Sequence, residues 1–380
     1  MDTSLQKRFS FLERITFILL FSVLLVYVLV VAKHILYPIV LALLFSYFIF
    51  PLVDFLENKA RFPRALAILS SFLLFGIVLY AVGNLFVSQI KHFSIDMPHI
   101  KEQVKNNIAA FQSFINNKYI ISPEDQNSWL REKVIDVLEG SNLTLTKIVM
   151  TATGTIEALV FIPIFSFFML TYRERGKNFI LMLVKVRHGE LTESLLQQIS
   201  KVTIKYVSGV AIVVGILAFS HAVAFSIIGI KYAVVIAIIT ASVSIIPYFG
   251  TLVSGLIPLF FAAVAQGDPY VLLAIVIYFW IIIFIDHNIL TPTIVGGNVA
   301  LNPLITIIGI IVAANIWQIP GMIVVVPILA VVKIICDNVE KLKPWGYLLG
   351  SETHSLAIER IYNIINAQKK KKKKKTNNID

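Results

Sequence analysis

Apolar residues fall along this chain in blocks of bilayer length, unlike the short alternating runs that mark barrel strands. Blocks at residues 15–32, 35–55, 65–90, 148–172 and 206–228 each have the length of one crossing. Three more follow at 232–265, 270–289 and 303–335. Polar stretches at 91–147 and 173–205 interrupt the series, and a polar helix-like segment, 355–367, precedes a lysine run. The pattern predicts an all-α polytopic membrane protein with about eight hydrophobic segments.

The sixth and eighth blocks have an awkward length. About 33 helical residues extend near 50 Å, too long for one ordinary crossing and short for two with a turn. Each is punctuated mid-block. The sixth carries Ile246-Pro247-Tyr248-Phe249-Gly250, then Gly255 and Pro258; the eighth carries Ile319-Pro320-Gly321, then Pro327. Proline removes a backbone donor and glycine frees the dihedrals, so both blocks are expected to break there. Irregular backbone at membrane depth needs protein or water around it. The blocks therefore read as re-entrant helical hairpins, with one long kinked and tilted helix as the alternative. A full span then precedes each hairpin, 206–228 and 270–289. One crossing plus one hairpin reverses direction, so the two units form an inverted repeat of the kind found in secondary transporters.

Composition and charge orient this array. The chain is 57% hydrophobic and 14% charged, against about 25% charged in ordinary soluble domains. Lys59, Arg61 and Arg64 follow the second span, and Arg173, Arg175, Lys177, Lys185 and Arg187 follow the fourth. The excess of positive charge places these loops and both termini in the cytoplasm, with 91–147 outside. The outer stretch contains Ile100, Val104, Ile108, Phe111 and Ile115 at helical spacing, then a helix start at Ser122-Pro123-Glu124-Asp125. It reads as a cap on the bundle, or alternatively as a receptor surface. Lys7, Arg8 and Arg14 lead into the first block with no small-residue cleavage pattern, so that block is expected to be retained as a span. Cys336 is the lone cysteine, which excludes an intrachain disulfide. Lys369–Lys375 supplies much of the net charge of +11 and is expected to attract anionic lipid, worth about 1 kcal/mol per lysine. No folded nucleic-acid reader accompanies it.

Three stretches carry a family resemblance. Ile246-Pro247-Tyr248-Phe249-Gly250 with Ile257-Pro258 is the first. Asn288-Ile289-Leu290-Thr291-Pro292-Thr293-Ile294-Val295-Gly296 with Leu301-Asn302-Pro303-Leu304 is the second. Pro320-Gly321-Met322 with Val326-Pro327 is the third. Together they resemble the autoinducer-two exporter family, also called the PerM-like permeases, from the first span to about Lys333. The resemblance implies a bacterial inner-membrane transporter and a homo-oligomer. Some members export a furanosyl quorum-sensing signal and some exchange sodium for protons. Where many members place a glutamate or an acidic–amide pair before Leu-x-Pro, this chain has Asp286-His287-Asn288, a shorter carboxylate beside a histidine. No ion specificity is carried over.

Asp286 is the leading candidate for substrate or ion binding, because it ends a span without other charges. The alternative puts it at the cytoplasmic water boundary. His287 adjoins it as a titratable or merely interfacial group. Asn288 and Pro292 of the same motif join the candidate set. At the breaks, Pro247, Gly250, Pro320 and Gly321 free backbone groups that can bind ions or anions. Tyr248 and Phe249 can line a small-molecule site or pack the core. Asn298, Asn302 and Asn315 offer amides for a ligand or for another helix. Glu157 is placed near the outer interface, His221 in a bundle contact, and Lys33-His34 in an outer loop. Asp54 and Glu57 are expected to pair with Arg61 or Arg64 in a structural role. No catalytic constellation, metal set, cofactor site or Gly-rich nucleotide loop stands out.

The domain reading is spans one to three over 1–90, an extracytoplasmic helical segment over 91–147, and span four with a cytoplasmic helical loop over 148–205. A transport unit follows over 206–340, then a tail over 341–380. The function expected is a secondary permease exporting a small solute by alternating access. A sodium/proton antiporter and a membrane scaffold or receptor are the alternatives.

Overall fold

The computed structural model describes residues 11–95, 102, 103, 106, 153–184, 189–295 and 301–351. Most of the expected outer cap, Asn298, the tail helix and the lysine run lie outside these residues. Every regular element described is helical, apart from one isolated bridge between Leu301 and Gly350. Five described stretches are long and apolar enough to cross a membrane: Lys33–Lys59, Arg64–Gln89, Thr192–Ile228, Pro269–Val295 and Pro303–Asn338. Ile15–Val31, Val160–Thr171, Ala233–Val243 and Phe249–Ala265 are shorter apolar helices. Together they fall on the expected blocks, with the sixth divided in two. The molecule is a multi-pass membrane protein.

The chain forms two compact units, residues 45–300 and residues 1–44 with 301–380. Helix α2, Lys33–Asp54, runs from one into the other. In the unit of residues 45–300, α2 continues into a π-helical turn, Phe55–Lys59, and α3 follows over Arg64–Ile95. Helices α4, Thr153–Thr171, and α5, Arg173–Val184, come next. The start of α3 packs on α2 and α4 through Ile49, Val53, Ala67, Ile68 and Leu170, with phenylalanines such as Phe45 and Phe75 around them. Farther along, α3 leaves Leu73, Ile77, Leu79, Tyr80 and Leu85 exposed, an apolar surface that suits lipid.

Ionic contacts tie the helix ends together beside that core. Glu57 accepts from Arg64 at 3.1 Å and from Arg173 at 2.9 Å. Arg173 also lies over the Phe50 ring at 5.2 Å. The expected pairing of Glu57 with Arg64 is present. Asp54 departs from expectation: its carboxylate accepts from Asn58 one turn along, 2.7 Å away, because the helix carries it away from the arginines. Glu57→Ala therefore strips two guanidinium groups of a shared acceptor and is expected to cost about 1–2 kcal/mol, discounted for partial exposure. Asp54→Ala should cost less than half of that, and thermal unfolding in detergent reads the difference. Equal melting of the two variants would exclude the clasp role of Glu57.

Helix α6, Gly189–Ile228, starts well before the apolar block at residue 206. The polar lead-in keeps apolar residues such as Leu195, Ile199 and Val202 at helical spacing, so one helix runs from the loop into the span. Glu193 on this lead-in accepts from Lys177 of α5 at 2.7 Å, and this hydrogen bond pushes the lysine's pKa up.

After Gly229 (φ 85°), a conformation that favours glycine, the chain reverses into α7, Ala233–Val243, packed along α6. It turns again at residues 244–248 into α8, Phe249–Ala265. Gln266 Nε2 then donates to the Gly229 carbonyl at 2.9 Å, which brings the end of α8 back beside the end of α6. The sixth block is thus a helical hairpin, broken where Pro247 and Gly250 predicted. Gly255 and Pro258 leave α8 helical; Gly255 instead lets the Phe279 ring approach closely. Helix α9, Pro269–Ile285, begins with Asp268 capping Tyr270 N at 2.8 Å. It passes into a π-helical segment, Asp286–Val295. The core of this unit joins α6, α7, α8 and α9 through Leu217, Phe225, Ala237, Ala262, Ile275 and Phe279.

The unit of residues 1–44 and 301–380 contains α1, Phe11–Val31, the first half of α2, α10, Pro303–Asn338, a 3₁₀ turn, Glu340–Leu342, and α11, Lys343–Leu349. Lys33 and His34 open α2, and the turn before them is Ala32 alone, shorter than the loop expected there. Helix α10 is two helices joined at Gln318, whose φ of 54° and ψ of −134° are not helical. A Cβ on Gly309 would lie 3.2 Å from Val325 Cγ2. Sixteen residues of straight helix would separate those positions by about 24 Å, so the arms fold back on one another. The eighth block is also a hairpin, broken just before Ile319 and left helical at Pro327. Its two ends meet α11. Asn302 N donates to Leu349 O at 2.8 Å, and Gly346 seats against Asp337.

Candidate functional site

Proline and glycine shape each hairpin tip in a different way. In the first, Tyr248 adopts φ 63° and ψ −50°, strained for a residue with a Cβ. A Cβ on Gly250 would come within 2.8 Å of Ser244 Cα, so only glycine lets the returning arm close. Tyr248 and Phe249 are 47% and 41% exposed, which sets them outside the packed core. Tyr206 of α6 packs on the core cluster that includes Val295 and Ile294. One turn farther along α6, a Cβ on Gly209 would stand 2.8 Å from Val295 Cα. The end of the π-helical segment thus packs on the stretch of α6 from Tyr206 to Gly209.

Asp286 occupies the junction of α9 and the π-helical segment. It is buried, 5% exposed, and so does not sit in bulk water at the span's end. Its Oδ1 accepts from Thr291 Oγ1 at 2.8 Å. Residues five apart on an α-helix point about 140° away from each other. The wider π turn, with its i→i+5 bonding, brings them together. Pro292 explains the widening in part: it has no N–H to give to residue 288, and its ring would crowd that carbonyl. His287 and Asn288 are exposed, and Asn288 Nδ2 donates to Phe284 O at 2.8 Å.

The other amides also serve their own helices. Asn302 caps α10, accepting from Leu304 N at 2.9 Å. Asn315 is exposed and donates to Ile311 O at 2.8 Å. Pro320 and Gly321 shape the second tip, where Gly321 lies against the Ala313 carbonyl. Asn315, Pro320 and Gly321 belong to the unit of residues 1–44 and 301–380, while Pro247–Gly250 and Asp286–Pro292 belong to residues 45–300.

His221 makes the bundle contact expected of it and adds partners that no local pattern announced. It is 1% exposed and stacks on Phe225 and Phe279, with ring centroids 5.5 Å away in both cases. Its Nδ1 is 2.7 Å from Tyr278 Oη, which is 3.0 Å from Ser220 Oγ. Tyr278 beside His221 and Thr291 beside Asp286 are polar partners outside the expected candidate set. Glu157 lies in α4, but its side chain is outside the described set. Among the described residues, no group of His, Cys, Asp and Glu could hold a metal ion.

Comparison with known sequences matches most of the chain to a family. The chain is 24% identical to "Putative transport protein YrrI" of Bacillus subtilis (strain 168) over 315 residues, 80% of this chain and 86% of that protein. Residues 17–341, which include both hairpins and the π-helical segment, match the profile described as AI-2E family transporter. The chain belongs to the AI-2E transporter family.

Proposed function

We propose that this protein exports a small solute across a bacterial inner membrane by alternating access, using two re-entrant hairpins as the parts that meet the solute. The observation that carries this reading is the pair of helical hairpins in a member of a transporter family, each preceded by a span. In the proposed topology the first hairpin opens outside and the second opens to the cytoplasm, as an inverted repeat. The first tip offers Pro247, Tyr248, Phe249 and Gly250; the second offers Asn315, Pro320 and Gly321. Asp286, with Asn288 and Pro292, stands at the inner end of α9 beside the π-helical turn. The termini are cytoplasmic in this scheme, the lysine tail meets anionic lipid, and the protein works as a homo-oligomer. Its role is transport rather than catalysis, in keeping with its family.

A second reading, sodium/proton exchange, is favoured by one observation. The Asp286 carboxylate is buried and held by a neutral hydroxyl rather than by an arginine or lysine. Such a group can trade one cation for another without breaking a salt bridge.

Reconstitution separates the readings. Proteoliposomes are loaded with a furanosyl signal or another small metabolite, with and without pH and sodium gradients. Solute efflux above protein-free vesicles supports export; sodium movement against a proton gradient without solute supports exchange. Absence of both would sink the transport reading. In the same vesicles, an impermeant maleimide should label Lys177→Cys only when the cytoplasmic face is outward.

A further inference from the structure

The end of α1 leaves a backbone carbonyl that its own helix does not satisfy. The chain turns at Ala32, whose N–H goes to Val28 O, and α2 then starts afresh with Ile35 and Leu36 bonding back to Ala32 O. Leu29 O is therefore one of the orphan acceptors of a helix C-terminus. Such a group needs a donor from outside its own helix. The donor is Trp317, 288 residues away: its indole Nε1 lies 2.9 Å from Leu29 O. Trp317 is the last residue before Gln318, where α10 breaks, so this bond lands on the tip of the second hairpin.

The same hairpin is held at its other end. The Asn302–Leu349 bond and the Leu301–Gly350 bridge tie its first arm to the end of α11. The second arm meets α11 where Gly346 seats against Asp337. The first hairpin differs: the backbone hydrogen bonds at its tip, from Ser244 to Gly250, all run within the hairpin.

We propose that the Trp317 indole pins the tip of the second hairpin to the end of the first span, so that α1 and this hairpin move as one body. Trp317 is then a positioning residue. The first span belongs with the hairpin it holds. Its importance to the transport cycle rests on the transport reading above, whereas the pinning itself does not.

The test needs no substrate. Spin labels are placed at Tyr27→Cys and Ile319→Cys, which are 65% and 59% exposed and so accept a label, in a Cys336→Ser background. The full chain is reconstituted in phosphatidylethanolamine–phosphatidylglycerol vesicles, and the distance distribution between labels is recorded. The parent should give one narrow population. Replacing Trp317 by 3-(1-naphthyl)alanine keeps the bulk and removes the N–H, and should add a second, longer-distance population. Replacing it by 5-fluorotryptophan keeps the N–H and should restore the single population. A broad distribution in the parent would overturn the proposal. So would a naphthylalanine protein that matches the parent, or a fluorotryptophan protein that matches naphthylalanine. A narrow, indole-dependent distribution in a protein that fails every flux assay would leave the pinning standing and remove the transport reading.

Discussion

Gly321→Ala is expected to disrupt the second hairpin more than any other single-methyl change described here. A Cβ at this position would run into the Ala313 carbonyl oxygen and stand 2.8 Å from its carbon. The obstruction is backbone, with no side chain to rotate away, so the arms must part. Forced overpacking costs about 1–3 kcal/mol even where side chains can adjust; with rigid backbone on one side, the upper end of that range applies. Separating the arms also loosens the contact of Gly309 with Leu329 and Val325. Gly76→Ala and Gly83→Ala on α3 are the controls, since a methyl there meets nothing within 4 Å. They should hold or raise stability, by up to about 1 kcal/mol from helix propensity. Unfolding in detergent, followed by tryptophan fluorescence, reads all three. If Gly321→Ala melts with the parent, the closed hairpin is not the folded state in the membrane protein.

Asp286→Asn should lower ion-coupled flux about tenfold or more, the effect of losing some 1.4 kcal/mol of binding. The substitution is close to isosteric, and an asparagine Oδ1 still accepts from Thr291 Oγ1. Folding should therefore be kept while the titratable charge disappears. Dependence of flux on the pH or sodium gradient should vanish with it. Asp286→Ala, which also strips Thr291 of its acceptor, should lose both flux and some stability. Gradient dependence that survives in a well-folded Asp286→Asn protein would remove this carboxylate from the coupling mechanism.

Local chemistry explains which features could be read in advance. Block length and mid-block proline and glycine marked both hairpins, because breaking a helix is decided within a turn of the offending residue. The tips at Tyr248 and Gln318 fall within two residues of the expected breaks. The burial of Asp286 was harder to see. It depends on a π-helical register that places Thr291 under its carboxylate, and hydrophobic periodicity assumes 3.6 residues per turn. A helical loop was expected before residue 206, but its continuity with the span as one helix from Gly189 was hidden by the polar residues of the lead-in. Contacts such as Glu57 with Arg173, His221 with Tyr278, and Leu29 with Trp317 join residues 116, 57 and 288 positions apart. Nothing local encodes such pairs; only the folded chain selects them.

Helix α7 has 11 residues, about 16 Å of helix, roughly half the hydrocarbon thickness. In the proposed placement this length has a consequence for how the protein is made. A segment so short is a poor candidate for lateral release from an insertion channel, because one of its ends would leave uncapped peptide groups in lipid. It can settle only when α6 already stands beside it and α8 follows to complete the hairpin. That placement predicts insertion that is cooperative over residues 189–265 rather than helix by helix.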